Sequence, residues 1–255
     1  MKTRVTLTVF IFFSLLPNGC QQKNMDPNNP SHAFAAAKEF YDDKNFEQAL
    51  QKLGEFKSRF PYSKLAVTAE LYLANSQFEL GRYEEAAIAY QQFIRLHPKH
   101  PEVDFAMYRV GEAYWVDAPE EEDREQEYTI KALDEWKKLV SRFPDSEYTK
   151  KALGFIDIGK RRLAESIKFV ASYYCKMEIY HACAFRYIQL AETYPQYKDL
   201  KKQALTEAAK ALEELAEIKR DHPKSDKNIY LKKMSAKQLL EYAKKLGREA
   251  KKINP

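Results

Sequence analysis

Four segments of the chain end alike: KLGEFKSRFP, YQQFIRLHP, EWKKLVSRFP and RYIQLAETYP. Counted back from Pro61, Pro98, Pro144 and Pro195, the same residue classes return at the same distances. Twelve residues before each proline stand Ala49, Ala86, Ala132 and Cys183, all small. Eight before stand Leu53, Tyr90, Trp136 and Tyr187, all large, and five before stand the apolar Phe56, Phe93, Leu139 and Leu190. Twenty-four before stand Ala37, Ala74 and Ala171. The unit ending at Pro144 departs here. Its counterpart is Gly111, thirty-three residues back, so that unit holds a nine-residue insertion. The insertion is legible as DAPEEEDREQE, residues 117–127, an acidic, proline-bearing loop between two helices. Most loops of this kind are simply solvated.

A unit of about 34 residues with these spacings is the tetratricopeptide repeat, a pair of antiparallel helices. Small residues let the two helices approach. Large ones fill the space toward the next unit. The proline cannot continue a helix and restricts the residue before it, so it ends the second helix. His97 is therefore a helix-end residue rather than a catalytic base. In ELGRYEEA, Gly81 is a helix C-cap candidate. One unit cannot bury its own apolar face, so units stack into a superhelix with a concave groove. The expected fold is all-α, a tetratricopeptide-repeat α-solenoid of about five helical hairpins.

The units span roughly 31–62, 67–99, 103–145 and 164–196, with 146–163 read as a helix feeding the fourth. A fifth helical segment, ending at Pro223, carries Ala211, Leu215 and Ile218 at the same back-spacings. In the last segment Leu239, Ala243, Leu246, Ala250 and Ile253 share a helical stripe, which either caps the array or rests on a partner. The expected layout is a leader at 1–19, a tether at 20–30, N-terminal units at 31–145, C-terminal units at 146–223 and a basic helical tail at 224–255.

Charge is uneven along this layout. Residues 21–195 hold 24 basic and 28 acidic side chains, whereas residues 196–255 hold 16 and 9. The tail reads either as a solvated Lys-rich face or as a docking surface for an acidic partner or anionic lipid heads. No helix-turn-helix, zinc-finger or RNA-binding pattern accompanies the charge, and nucleic acid is not an expected partner.

MKTRVTLTVFIFFSLLPNGC has a basic start and an apolar run from Leu7 to Leu16, too short to span a bilayer. It reads as a secretory signal peptide. The closing Cys resembles a bacterial lipoprotein box, although Pro17 and Asn18 stand where an apolar and a small residue are usual. Cys20 is the expected lipid-bearing residue; ordinary cleavage leaving a free thiol is the alternative. QQKNMDPNNPS then reads as a tether. Gln21, where inner-membrane retention uses Asp, favours the outer membrane. Cys175 and Cys183 fall on the two helices of one hairpin. An oxidising compartment permits a disulfide between them, but Cys183 occupies a small-residue position of the repeat, where a buried free thiol is the favoured reading.

First helices of such units line the concave side. The inward positions are Phe34, Lys38 and Tyr41 in the first unit, Leu71, Tyr72, Asn75 and Phe78 in the second, and Phe105, Tyr108, Arg109, Glu112 and Trp115 in the third. Aromatics with an arginine suit a peptide-binding groove, though about half of such rings belong to the core. Lys38 and Arg109 are candidates for meeting a terminal carboxylate or an acidic side chain. No P-loop, nucleophile elbow or zinc spacing appears, so the chain reads as a binding protein, not an enzyme, with no cofactor and no metal expected.

RFPYSKLAVTAEL, FIRLHPKHPEVDFAMYRVGEAY and RFPDSEYTKKALGFIDIGKRRLAESIKFVASYY, in this order after a lipobox-like Cys, closely resemble the BamD family. These are tetratricopeptide lipoproteins of the bacterial outer-membrane β-barrel assembly machinery. The resemblance covers residues 31–196 and weakens beyond 200. It implies that the N-terminal units receive the C-terminal targeting segment of unfolded barrel proteins, which ends in an aromatic residue with a free carboxylate. It also implies that the C-terminal units hold a POTRA domain of the barrel-forming partner. Arg186, in HACAFRYIQL, matches the position that faces an acidic residue there; a solvated surface Arg is the alternative. Accessory lipoproteins are expected at the tail. The competing functions are another repeat lipoprotein, such as a secretin pilotin or an envelope adaptor, and an envelope enzyme.

Overall fold

The computed structural model describes residues 26–221 and 234–254. The leader, Cys20 and most of the tether lie outside the described residues, as does the segment between the last two helices. Among the described residues ten α-helices follow one another: α1 (Pro30–Asp42), α2 (Phe46–Arg59), α3 (Lys64–Glu79), α4 (Tyr83–Leu96), α5 (Val103–Val116), α6 (Glu127–Arg142), α7 (Glu147–Lys176), α8 (Tyr180–Thr193), α9 (Lys198–Asp221) and α10 (Ala236–Lys252). The protein is an all-α stack of helical hairpins. Among the described residues no helix is long and apolar enough to cross a membrane.

The repeat positions form the core. Ala49, Ala86, Ala132 and Cys183 are inaccessible, and Leu53, Tyr90, Trp136 and Tyr187 fill the spaces between hairpins. Gly111 shows why a small residue is needed twenty-four places before the proline, or thirty-three with the insertion. A Cβ there would stand 2.4 Å from Trp136 Nε1. Ile218 is a departure. Ala211 and Leu215 are buried at the expected spacings from Pro223, beside Leu212 and Ala216, but Ile218 is exposed.

Both turn types repeat. Phe60, His97, Phe143 and Tyr194, each preceding a proline, adopt φ between −124° and −133° with ψ of 54–65°, and each donates its N–H to the carbonyl four residues back. The proline ring excludes helical geometry at the residue before it and fixes this exit. Within the hairpins, the residue seventeen places before the proline is left-handed: Lys44 (φ 60°), Gly81 (φ 75°) and Glu178 (φ 59°). Only Gly81 meets this demand without steric cost.

The predicted feeder at 146–163 and the first helix of the fourth unit are one rod, the 30-residue α7. Its first half packs Ala152 and Ile156 into the core of α3 to α6, and its second half packs Ala164 and Ala171 into the core of α8 to α10. Gly159 marks the crossing, where a Cβ would lie 2.7 Å from Leu133 Cδ2. The Tyr197 hydroxyl donates to the Asp157 carbonyl at 2.8 Å, and Arg161 pairs with Asp199 at 2.6 Å, tying the middle of α7 to the joint before α9. The stripe Leu239, Ala243, Leu246 and Ala250 is buried against α9, so α10 closes the last hairpin from within the chain.

Candidate functional site

The first helices bring most of the expected groove residues into two neighbouring groups. In the first, the Tyr41 ring stands 4.9 Å from Tyr72, and Phe34 packs 5.5 Å from Phe56 and 6.0 Å from Tyr72. Lys38 lies over Tyr72 at 5.3 Å and pairs with Asp42 at 2.6 Å. The second group centres on Arg109 of α5. Its guanidinium lies 3.6 Å from the Phe78 ring centroid, Nε donates to the Tyr90 hydroxyl at 3.1 Å, and one terminal nitrogen pairs with Glu112 at 2.9 Å. The other reaches Glu79 at only 3.4 Å. Tyr90 in turn donates to Asn75 Oδ1 at 2.5 Å, and Tyr108 donates to Glu112 at 3.1 Å. A polar chain thus runs Asn75–Tyr90–Arg109–Glu112–Tyr108 across three helices.

Burial and this chain set the electrostatics. Burial pushes the Tyr90 hydroxyl well above the ordinary phenol range, and burial with Glu112 raises Tyr108 to about 12. Burial weighs against the Arg109 charge, but Tyr90 and Glu112 outweigh it, so the guanidinium holds its proton more firmly than usual. Tyr41 is raised by burial and then by the nearby Glu79, which links the two groups electrostatically.

Leu71 and Tyr108 are core, the latter packed on Trp136 and Tyr148. Phe105 sits at the edge of the Arg109 group, 6.4 Å from Tyr90. Trp115 stands apart from the other rings, between Trp136 and Phe155 and beneath the Arg162 guanidinium at 4.2 Å. The spacing gave Tyr90 only a space-filling role and had no signal for its hydroxyl, because the Asn75 and Arg109 partners come from other helices.

Arg186 occupies a different surface. It lies nine residues before its proline, on α8. At that position Ala89 of α4 lines a cleft of about 200 Å³ with Leu50 of α2, and Glu135 of α6 accepts a hydrogen bond from Gln91 of α4 at 3.3 Å. Both therefore face the second helix of the preceding unit. Arg186 bonds only to Gln189 of its own helix, at 2.9 Å, and among the described residues no carboxylate pairs with it. The first helix agrees. The position occupied by the fully buried Ser76 and Ala113 in earlier units is Tyr173 in the fourth, 54% exposed, with Phe169 exposed one turn before. Because α7 carries the chain onward as a rod, the preceding unit does not cover this hairpin, and its edge is open.

Cys175 and Cys183 form a disulfide, Cα–Cα 5.1 Å, stapling α7 to α8. No group of three or more His, Cys, Asp or Glu able to hold a metal occurs among the described residues.

Residues 26–228 match the family described as YfiO, outer membrane lipoprotein. The chain belongs to this family. Proteins named outer membrane protein assembly factor BamD are similar to this YfiO member: 24% identical over 198 residues in Rickettsia prowazekii (76% of this chain, 78% of the relative), 28% over 199 residues in Neisseria gonorrhoeae (74% and 72%), and 25% over 207 residues in Vibrio cholerae (77% and 86%). Among solved structures, the TPR2AB-domain:pHSP90-complex of yeast Sti1 aligns over 88% of this chain and 95% of its own, at 14% identity and a TM-score of 0.45. Outer-membrane protein assembly is the role these relatives carry in their names, and the resemblance read from the joints of this chain agrees with its membership of the family.

Proposed function

We propose that this protein is a lipid-anchored periplasmic scaffold of outer-membrane β-barrel assembly. Its open α7–α8 edge docks a POTRA domain of the barrel-forming subunit, and its α1–α3–α5 groove receives the C-terminal targeting segment of unfolded barrel proteins. The observation that carries the first part is Arg186, a cation with no counter-ion among the described residues, on a hairpin edge that also exposes Phe169 and Tyr173. Docking would take this Arg and the exposed rings of the same edge out of water together, the composition of an interface hot spot.

The groove reading rests on Arg109. Its long contact to the half-exposed Glu79 is the one an incoming terminal carboxylate would displace, while Tyr90 and Glu112 keep the guanidinium oriented. The Phe78, Tyr41 and Tyr72 rings offer the apolar surface for a terminal aromatic residue.

A mild-detergent pull-down of the tagged full chain from its own membranes tests this reading. A large barrel protein bearing POTRA domains is the expected partner. Recovery of a secretin without such a barrel would replace the proposal with a pilotin role.

A further inference from the structure

The last helix has a second face that none of the described residues covers. The apolar side of α10 is buried, so its opposite side is fully outward. Lys237, Lys244, Arg248, Lys251 and Lys252 all stand exposed there, at spacings that place them along one side of a helix. From Lys237 to Lys251, at about 1.5 Å per residue step, that row is about 21 Å long. Glu241 is the one acid on the same side, and among the described residues none of these five cations forms an ion pair. Glu249, the other acid of α10, is turned toward Lys201 of α9 at 3.5 Å. Like charges at successive turns repel, so the row weakens the isolated helix rather than stabilising it.

We infer that this row of α10 docks on the anionic lipid headgroups of the membrane to which the chain belongs. Its form favours lipid over an acidic protein. A protein interface is anchored by buried aromatic or aliphatic side chains, and this face offers only a part-exposed Leu240. A straight cationic row without a groove or an apolar anchor suits a flat, laterally fluid sheet of negative charge. Docking there would fix the orientation of the solenoid against the bilayer. The inference stands apart from the assignment of Arg186, which lies on another hairpin edge.

Vesicle flotation of the chain from residue 20 onward, with Cys20→Ser so that no acyl chain contributes, reads this directly. Binding should be strong on vesicles of phosphatidylcholine with phosphatidylglycerol, weak on phosphatidylcholine alone, and should fall as salt rises. Each cation near such a surface contributes about fivefold, so Lys244→Gln with Arg248→Gln and Lys251→Gln should weaken binding about a hundredfold at unchanged helicity. Equal binding to both vesicles, or a salt-insensitive wild type, would overturn the inference without recourse to any variant. Binding to an acidic polypeptide with none to anionic vesicles would overturn it in favour of a protein partner.

Discussion

Trp136 lies directly over Gly111, its Nε1 donating to the Tyr108 carbonyl at 3.1 Å, so that α6 closes on α5 with no room for a Cβ. Gly111→Ala should therefore destabilise the protein by about 1–3 kcal/mol through overpacking. Gly54→Ala, with nothing within 4 Å of its Cβ, should stabilise α2 by about 0.5–1 kcal/mol. Urea titration of the two variants checks the contrast. A stabilising Gly111→Ala would show that helix propensity, not the close approach, governs position 111.

The left-handed turn gives a second comparison. Glu178 holds φ 59° where Gly81 holds 75° in an earlier unit. A side chain in that region costs roughly 1–2 kcal/mol, so Glu178→Gly should raise stability despite the greater freedom of the unfolded glycine. Gly81→Ala should lower it. Thermal unfolding of both variants is the measurement.

Glu70 of α3 ties three helices, accepting from Lys57 of α2 at 2.7 Å and contacting His97 Nε2 at the end of α4 at 2.8 Å. Burial pushes its carboxyl pKa up, but Lys57 and His97 outweigh burial and hold it below the ordinary value. A lowered folded-state pKa contributes stability above the unfolded pKa, about 4.3, that is lost as pH falls through the folded value. Wild type should thus be more stable than Glu70→Gln at neutral pH, with the difference closing below about pH 4. Melting curves across pH would contradict this if the gap were constant.

The disulfide between Cys175 and Cys183 closes a short loop over the α7–α8 turn. Loop-closure entropy sets its contribution at about 2 kcal/mol. Reductant should lower the melting temperature of wild type and leave Cys175→Ser with Cys183→Ala unaffected, since alanine already serves at that position in three other units. A melting temperature indifferent to reductant would contradict the pairing's role.

The repeat was legible because packing and backbone sterics impose it locally. Proline, small and large residues at fixed offsets name the helix ends, the close approach and the core, and Gly111 even located the insertion. What the offsets could not reveal depends on other helices. Tyr90 looked like a spacer until Asn75 and Arg109 met its hydroxyl. Trp115 shared the helical position of a groove residue, but α7 folds over it. Ile218 kept its spacing but is exposed, although Ala211 and Leu215 before it on α9 are buried. The open edge at Tyr173 follows from the length of α7, and the sequence had divided that rod into two segments.

Arg186 is the proposed docking cation of the α7–α8 edge. The decisive measurement is the affinity of the partner's POTRA domain for the full chain and for Arg186→Glu, with circular dichroism on each. Truncating or reversing one member of a hydrogen-bonded interfacial charge pair costs about 2–5 kcal/mol. The account predicts a loss of that size at unchanged helicity, recovered when the facing acid of the partner is changed to Lys. Undiminished affinity of a folded Arg186→Glu would contradict it.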